Sequence, residues 1–336
     1  MTHGWYERSV SRKSARVGYI GIALNSSRSM SNDPNHVKDD PTGIFYAAFA
    51  YAFWGVMPVY WRWLGSVPPF ELTVNRIFWC AMFVIVAAFA RRRVSHIVYA
   101  FRQPRLLATL ALTGMLISIN WTIYIYCVAT QQLVEASLGY YINPLISIGL
   151  GVLLMGEHIS RVRMAAIALA AVAVVIQAFE LGHFPWIAPC LALSFGFYGY
   201  FRKLTPVDSL DGLTVETLVL FPVTSGLLLF WHVQGTGAFP SASGLTNALL
   251  IFGGPLTALP LAMFAAGARR IRLSTLGFLQ YLSPSITLLL AIFGFGERFS
   301  RLDAITFGFV WLALVFVALE GRFTSFRQAA TEAEPL

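Results

Sequence analysis

Three ionisable side chains stand inside otherwise apolar stretches of the chain: Glu71 and Arg76 within PFELTVNRIFWCAMFVIVAAFA, and Glu216 within LTVETLVLF. A charge at the centre of a membrane-spanning helix costs roughly 2.5–3.5 kcal/mol on insertion scales, so each needs a partner or a task. Arg76 lies about two turns into its stretch, too deep for easy snorkelling, and the stretches holding Arg76 and Glu216 correspond in two related halves of the sequence. Two readings stay open. Arg76 faces a central cavity and either pairs with Glu216 or binds an anionic group such as a carboxylate; or the two charges form an ion pair that only locks helices together. Glu71 sits near the start of its stretch and reads as interfacial. Glu216 is also a candidate proton carrier, because a carboxylate in a dry cavity loads a proton more readily.

Uncharged polar groups recur at depth as well. Asn120 and Trp121 fall mid-stretch, as substrate contacts or as helix-to-helix bonds of about 0.6–2 kcal/mol. Tyr140, Tyr141 and Asn143 precede Pro144; Gln280, Tyr281 and Ser283 precede Pro284. A proline inside a span frees a backbone carbonyl and permits a kink, and paired interruptions in corresponding spans point to a binding site between halves. Site lining and plain packing both fit these residues. Trp54 and Tyr198 are candidate gates or packing aromatics. Glu157–Arg161 and Glu297–Arg301 read as turn-fixing ion pairs or helix caps.

The elements that must position these groups are helices in lipid. Of the 336 residues 57% are hydrophobic and only 12% charged, against roughly 25% charged in a soluble domain. A span takes about 20 apolar residues. Apolar runs place spans near 43–63, 70–90, 106–128, 134–155, 162–180, 185–202, 213–232, 245–266, 273–295 and 303–321, an all-α integral membrane protein of about ten transmembrane helices. Residues 1–42 are polar, Ser-rich and basic and read as a disordered cytoplasmic tail, with Met30 a plausible start and 1–29 then a gene-call artefact; 322–336 reads as a second cytoplasmic tail.

The net charge of +8 does not point to nucleic acid, because the basic residues sit in short clusters between apolar runs. With both termini inside, twenty of the 24 Lys and Arg lie on the cytoplasmic side and three (Arg62, Arg298 and Arg301) on the other. The cysteines Cys80, Cys127 and Cys190 lie singly in apolar runs, without a CxxC pair. No P-loop, HExxH, GxSxG or SxxK is present, so ATP drive and hydrolase or zinc chemistry are unsupported, and no cofactor is expected.

An internal repeat organises the chain. PLISIGLGVLLMGEHISR (144–161) and PSITLLLAIFGFGERFSR (284–301) align at an offset of 140 without a gap, which also pairs Tyr141 with Tyr281. Five spans separate the copies, an odd number, so the halves 43–180 and 185–321 point in opposite directions. Inverted repeats are the architecture of many secondary transporters.

Finally, AYAFWG (50–55), VEASLGYYINPL (134–145), GLGVLLMGE (149–157), LSFGFYGYFRK (193–203), RLSTLGFLQYLSP (272–284) and GERFS (296–300) resemble the RarD proteins, in the EamA-type branch of the drug/metabolite transporter superfamily. The resemblance runs from Gly43 to about Arg322. It implies a multi-pass bacterial inner-membrane permease working by alternating access, without ATP, that exports drugs or metabolites such as amphenicols or amino acids. The rival readings are a membrane-embedded enzyme acting on lipid, which would want clustered acids or histidines, and a channel or non-transporting membrane subunit.

Overall fold

A computed structural model describes residues 39–129, 133–180 and 186–294, and beyond these 301, 304–305, 307–317 and 319. Most of the N-terminal tail, the C-terminal tail and the Glu297–Ser300 turn lie outside the described residues. What is described is helical. The helices are α1 (Pro41–Trp63), α2 (Pro69–Ala90), α3 (Val94–Phe101), α4 (Pro104–Ala129), α5 (Leu133–Met155), α6 (Arg161–Glu180), α7 (Ile187–Leu204), α8 (Ser209–Gln234), α9 (Gly244–Ala268), α10 (Leu273–Gln280), α11 (Leu282–Leu289) and α12 (Phe307–Val317). A single π-turn, Leu290–Gly294, follows α11.

Helix starts follow local chemistry. Asp40 caps α1 by accepting from the Thr42 amide at 2.9 Å, and Pro41 opens the helix, where no amide hydrogen is needed. Asp208 caps α8 through Leu210 and Ser243 caps α9 through Thr246. Gly235 ends α8 in the left-handed region, φ 67°. Prolines inside α1, α5, α8 and α9 do not break them. Neighbouring helices and side chains satisfy the freed groups in such a bundle.

Among the described residues seven helices are long and apolar enough to cross a membrane: α1, α2, α4, α5, α8, α9, and the run Leu273–Gly294 that joins α10, α11 and the π-turn. Of the ten spans expected from the sequence, α6 and α7 are long helices outside this set, and the stretch 303–321 is described only in part, as α12. The starts of α2 and α8, of α4 and α9, and of α5 and α10 each differ by 140 residues.

Packing is densest between helices far apart in sequence. α5 lies on α7, α9 on both α1 and α2, α8 on α2, and α10 on α5. Close approach at two of these seams depends on glycine. A Cβ at Gly254 of α9 would overlap the Trp79 carbonyl on α2, and one at Gly277 of α10 would come within 2.8 Å of the Pro144 carbonyl on α5. Without side chains there, backbones meet and dispersion contacts accumulate, which is what holds helices together where lipid removes the hydrophobic drive.

Candidate functional site

Arg76 projects from α2 into a junction of three other helices. Its Cζ lies over the Trp61 ring at 4.4 Å and over the Trp121 ring at 4.5 Å. Its Nε donates to the Thr257 hydroxyl at 3.3 Å. Trp61 comes from the last turn of α1, Trp121 from the middle of α4, and Thr257 from α9. Tyr60 fixes the end of α1 by donating its hydroxyl to the Leu249 carbonyl. Tyr124 and Tyr140 stand within electrostatic range of Arg76, and their rings meet edge to face with centroids 6.0 Å apart. No ion pair among the described residues includes Arg76, and its terminal nitrogens donate to no described group.

Of the two roles open to Arg76, pairing with Glu216 does not occur. Glu216 turns to Arg202 instead, with Nε and Oε1 3.4 Å apart and the side chains only 1% and 3% exposed. Thr113 donates its hydroxyl to the same oxygen at 2.6 Å. The physical reason is proximity along the chain. Arg202 ends α7, a short connection at 205–208 leads into α8, and Glu216 lies two turns on. Arg202 also donates from Nη2 to the Ser209 carbonyl at 3.2 Å, while Nη1 finds no acceptor. Gly212 makes the room: a Cβ there would overlap the guanidinium. Arg202, one of the twenty basic residues counted on the cytoplasmic side, folds inward.

A small cavity borders both Glu216 and two neighbours of Arg76, Trp121 and Thr257. It is lined by Cys80, Trp121, Glu216, Thr217 and Thr257 among others, and its volume of about 20 Å³ is enough for about one water. Arg76 and Glu216 themselves are 140 residues apart, as are Glu71 and Asp211. Both of the latter hold the connection that follows the other's helix. Glu71 accepts from the Ala238 and Phe239 amides after α8, at 2.6 and 3.4 Å. Asp211 takes Arg93 and His96 after α2, at 3.3 and 3.1 Å. Glu71 is thus buried against the Ala238–Phe239 connection and does not face open interface.

The remaining candidates fall elsewhere. Asn120 donates to the Leu191 carbonyl at 2.9 Å and to Ser194 at 3.0 Å, which ties α4 to α7. Gln280 donates to Ser147 at 2.9 Å, and Tyr281 to the Tyr141 carbonyl at 3.3 Å, so the repeat-related tyrosines meet where α5 crosses the α10–α11 joint. Asn143 is buried nearby and its Oδ1 has no donor among the described residues. α5 runs unbroken through Pro144, whereas its counterpart breaks at Tyr281, three residues before Pro284. Trp54 and Tyr198 both rest on Phe264, at 5.9 and 5.6 Å between ring centroids, in one aromatic cluster. Glu157 forms no pair with Arg161; it accepts from the Leu273 and Ser274 amides at 2.6 and 2.9 Å and caps α10 from the end of α5.

Sequence reasoning missed Trp61, Thr257, Thr113 and Arg202 as partners of the two central charges. Only Arg202 left a trace, a cation one short loop away from Glu216. Among the described residues no group of three or more His, Cys, Asp or Glu is placed to hold a metal.

Comparison with known proteins matches the EamA-like transporter family over residues 41–179. The chain is 42% identical to the uncharacterized transporter YojE of Bacillus subtilis (strain 168) over 277 residues, covering 81% of this chain and 92% of that one. It is 36% identical to the protein RarD of Escherichia coli (strain K12) over 290 residues, covering 86% and 98%. A solved crystal structure shares the fold with a TM-score of 0.64 at 18% identity, over 84% of this chain and 98% of that one. Relatives of this identity and coverage leave one assignment: the chain belongs to the EamA-like transporter family of the drug/metabolite transporter superfamily, among its RarD proteins.

Proposed function

We propose that the chain is a secondary active carrier that moves a small molecule by alternating access between two inverted five-helix halves, 43–180 and 185–321, of about ten spans in all. The equal offset of three pairs of helix starts, and the meeting of Tyr141 with Tyr281, support that symmetry. The twenty-to-three bias of basic residues supports both termini facing the cytoplasm of a bacterial inner membrane, and the family resemblance supports export.

The observation that carries the reading is Arg76. A guanidinium held inside an apolar bundle, without an acidic partner and with its end groups uncommitted, is a poor structural element. Intramembrane ionisable residues mark substrate paths. The helices that hold it come from both halves, α1, α2 and α4 from the first and α9 from the second. Relative motion of the halves therefore opens and closes this junction. Tyr140, Trp121 and Thr257 complete its wall, while Asn143, Gln280 and Tyr281 sit at the crossing that must flex. Glu216, bound to Arg202, is the candidate for proton coupling.

Alternating access is tested at Cys80, a buried thiol in the cavity wall. With Cys127 and Cys190 replaced by serine, a membrane-impermeant maleimide should label Cys80 from either face of oriented vesicles. Labelling confined to one face under all substrate conditions would contradict the reading.

A further inference from the structure

We infer that the substrate is a small organic monoanion, a carboxylate on an aromatic or apolar body, gripped edge-on by Arg76. The inference rests on the reading of Arg76 as the substrate contact and names the chemistry it takes.

The first argument is shape. The guanidinium carbon sits over two indole rings, 4.4 Å from the Trp61 centroid and 4.5 Å from that of Trp121, which leaves the N–H edge as the approach for a ligand. Thr257 occupies the Nε side of that edge. The two terminal nitrogens remain, a planar pair of donors. Two parallel N–H groups match the two oxygens of a carboxylate, in the bidentate arrangement that arginine favours. A neutral carbonyl or hydroxyl can engage only one of them well.

The second argument is charge. Arg202 and Glu216 neutralise each other, and among the described residues no acid pairs with Arg76. The centre of the bundle therefore carries one uncompensated positive charge. A guest of charge −1 cancels it in a medium where an isolated ion is expensive. A neutral guest, or a zwitterion such as an amino acid, leaves the charge standing. The zwitterion's ammonium would further require an acid free to receive it, and Glu216 is already held by Arg202 and Thr113.

The third argument is the wall. Trp61 and Trp121 lie against the guanidinium, and Tyr60, Tyr124 and Tyr140 stand within electrostatic range of it. Aromatic faces and edges give a large contact area to a flat apolar body.

The test is equilibrium binding to the purified full-length protein in detergent at pH 7, with phenylacetate, phenylacetamide and phenylalanine as probes that share a benzyl body and are anionic, neutral and zwitterionic. Phenylacetate should bind at least about tenfold tighter than either other probe, the factor expected from one charge-assisted contact. Arg76→Gln should abolish the preference, and Arg76→Lys, which keeps the charge and loses the fork, should restore part of it, with thermal unfolding showing each variant folded. Equal binding of the three probes, a preference that survives in Arg76→Gln, or binding of none would overturn the inference. Flux distinguishes this from the carrier reading. Carboxylate binding as predicted without any flux would sink the carrier and leave the anion site, whereas movement of neutral compounds alone would do the reverse.

Discussion

The buried pair of Arg202 and Glu216 gives a worked stability prediction. Both side chains are nearly sealed, 1% and 3% exposed, and Glu216 is held by one cation and one hydroxyl. Glu216→Gln keeps the shape and a hydrogen-bond acceptor for Thr113, but it leaves the guanidinium without a counter-charge. Arginine has no neutral form to retreat to. Breaking a buried pair from one side costs about 3–5 kcal/mol. Replacing both partners by apolar residues of similar volume, Arg202→Met with Glu216→Leu, removes the cause of that cost and should land within about 1 kcal/mol of the wild type. The singles Arg202→Met and Glu216→Leu and this double then show an interaction energy of several kcal/mol, far from additive. Arg76 provides the contrast. Arg76→Met loses two ring contacts and one hydrogen bond, while it removes a charge that nothing neutralises. Its net effect should stay within about 2 kcal/mol in either direction. The assay is reversible unfolding in mixed micelles, followed by far-ultraviolet dichroism. A Glu216→Gln cost below about 1 kcal/mol, or a double variant as costly as the summed singles, would refute the account of this pair.

Three further outcomes follow from the same contacts. Gly254→Ala should destabilise the bundle strongly because its Cβ meets the α2 backbone, while Gly226→Ala, with open space around it, should be silent in the same unfolding assay. Glu157→Gln should cost about 2 kcal/mol, since a charged acceptor of the Leu273 and Ser274 amides is lost at the start of α10. Asp39, just before α1, is partly desolvated, which alone would raise its pKa, but hydrogen bonds from Arg272 and Thr275 outweigh that and hold it below its ordinary 3.8. A carboxyl with a lowered folded pKa stabilises above its ordinary value and loses that contribution as pH falls through the folded one. The unfolding midpoints of wild type and Asp39→Asn should therefore differ at pH 7, begin to converge as the pH passes below 3.8, and meet below the lowered folded pKa.

The chain's apolar runs make the bundle legible in the sequence, because period and length carry that information locally. The depth of Arg76 in α2 is legible in the same way. Its partners were not legible. Trp61 and Trp121 come from helices whose rotation depends on packing, and tryptophans are common at every depth of such proteins. Arg202 was hidden for a different reason: a cation at a span end reads as a topology signal, and only the missing side chain of Gly212 lets it turn inward. Glu157 shows the same limit. A Gly-Glu turn looks like a self-contained cap, yet the amides it binds belong to α10, more than a hundred residues later. Pairings of that range are set by how distant helices pack, and spacing along the chain does not encode them.

The central claim, a carrier whose site is built on Arg76, meets its most direct test in flux. The purified protein in proteoliposomes, given a labelled panel of carboxylates, amino acids and amphenicols, should show saturable movement of at least one carboxylate. Unlabelled substrate on the far side should accelerate that movement, and Arg76→Gln should abolish it while remaining folded. Flux that Arg76→Gln leaves unchanged would contradict the account.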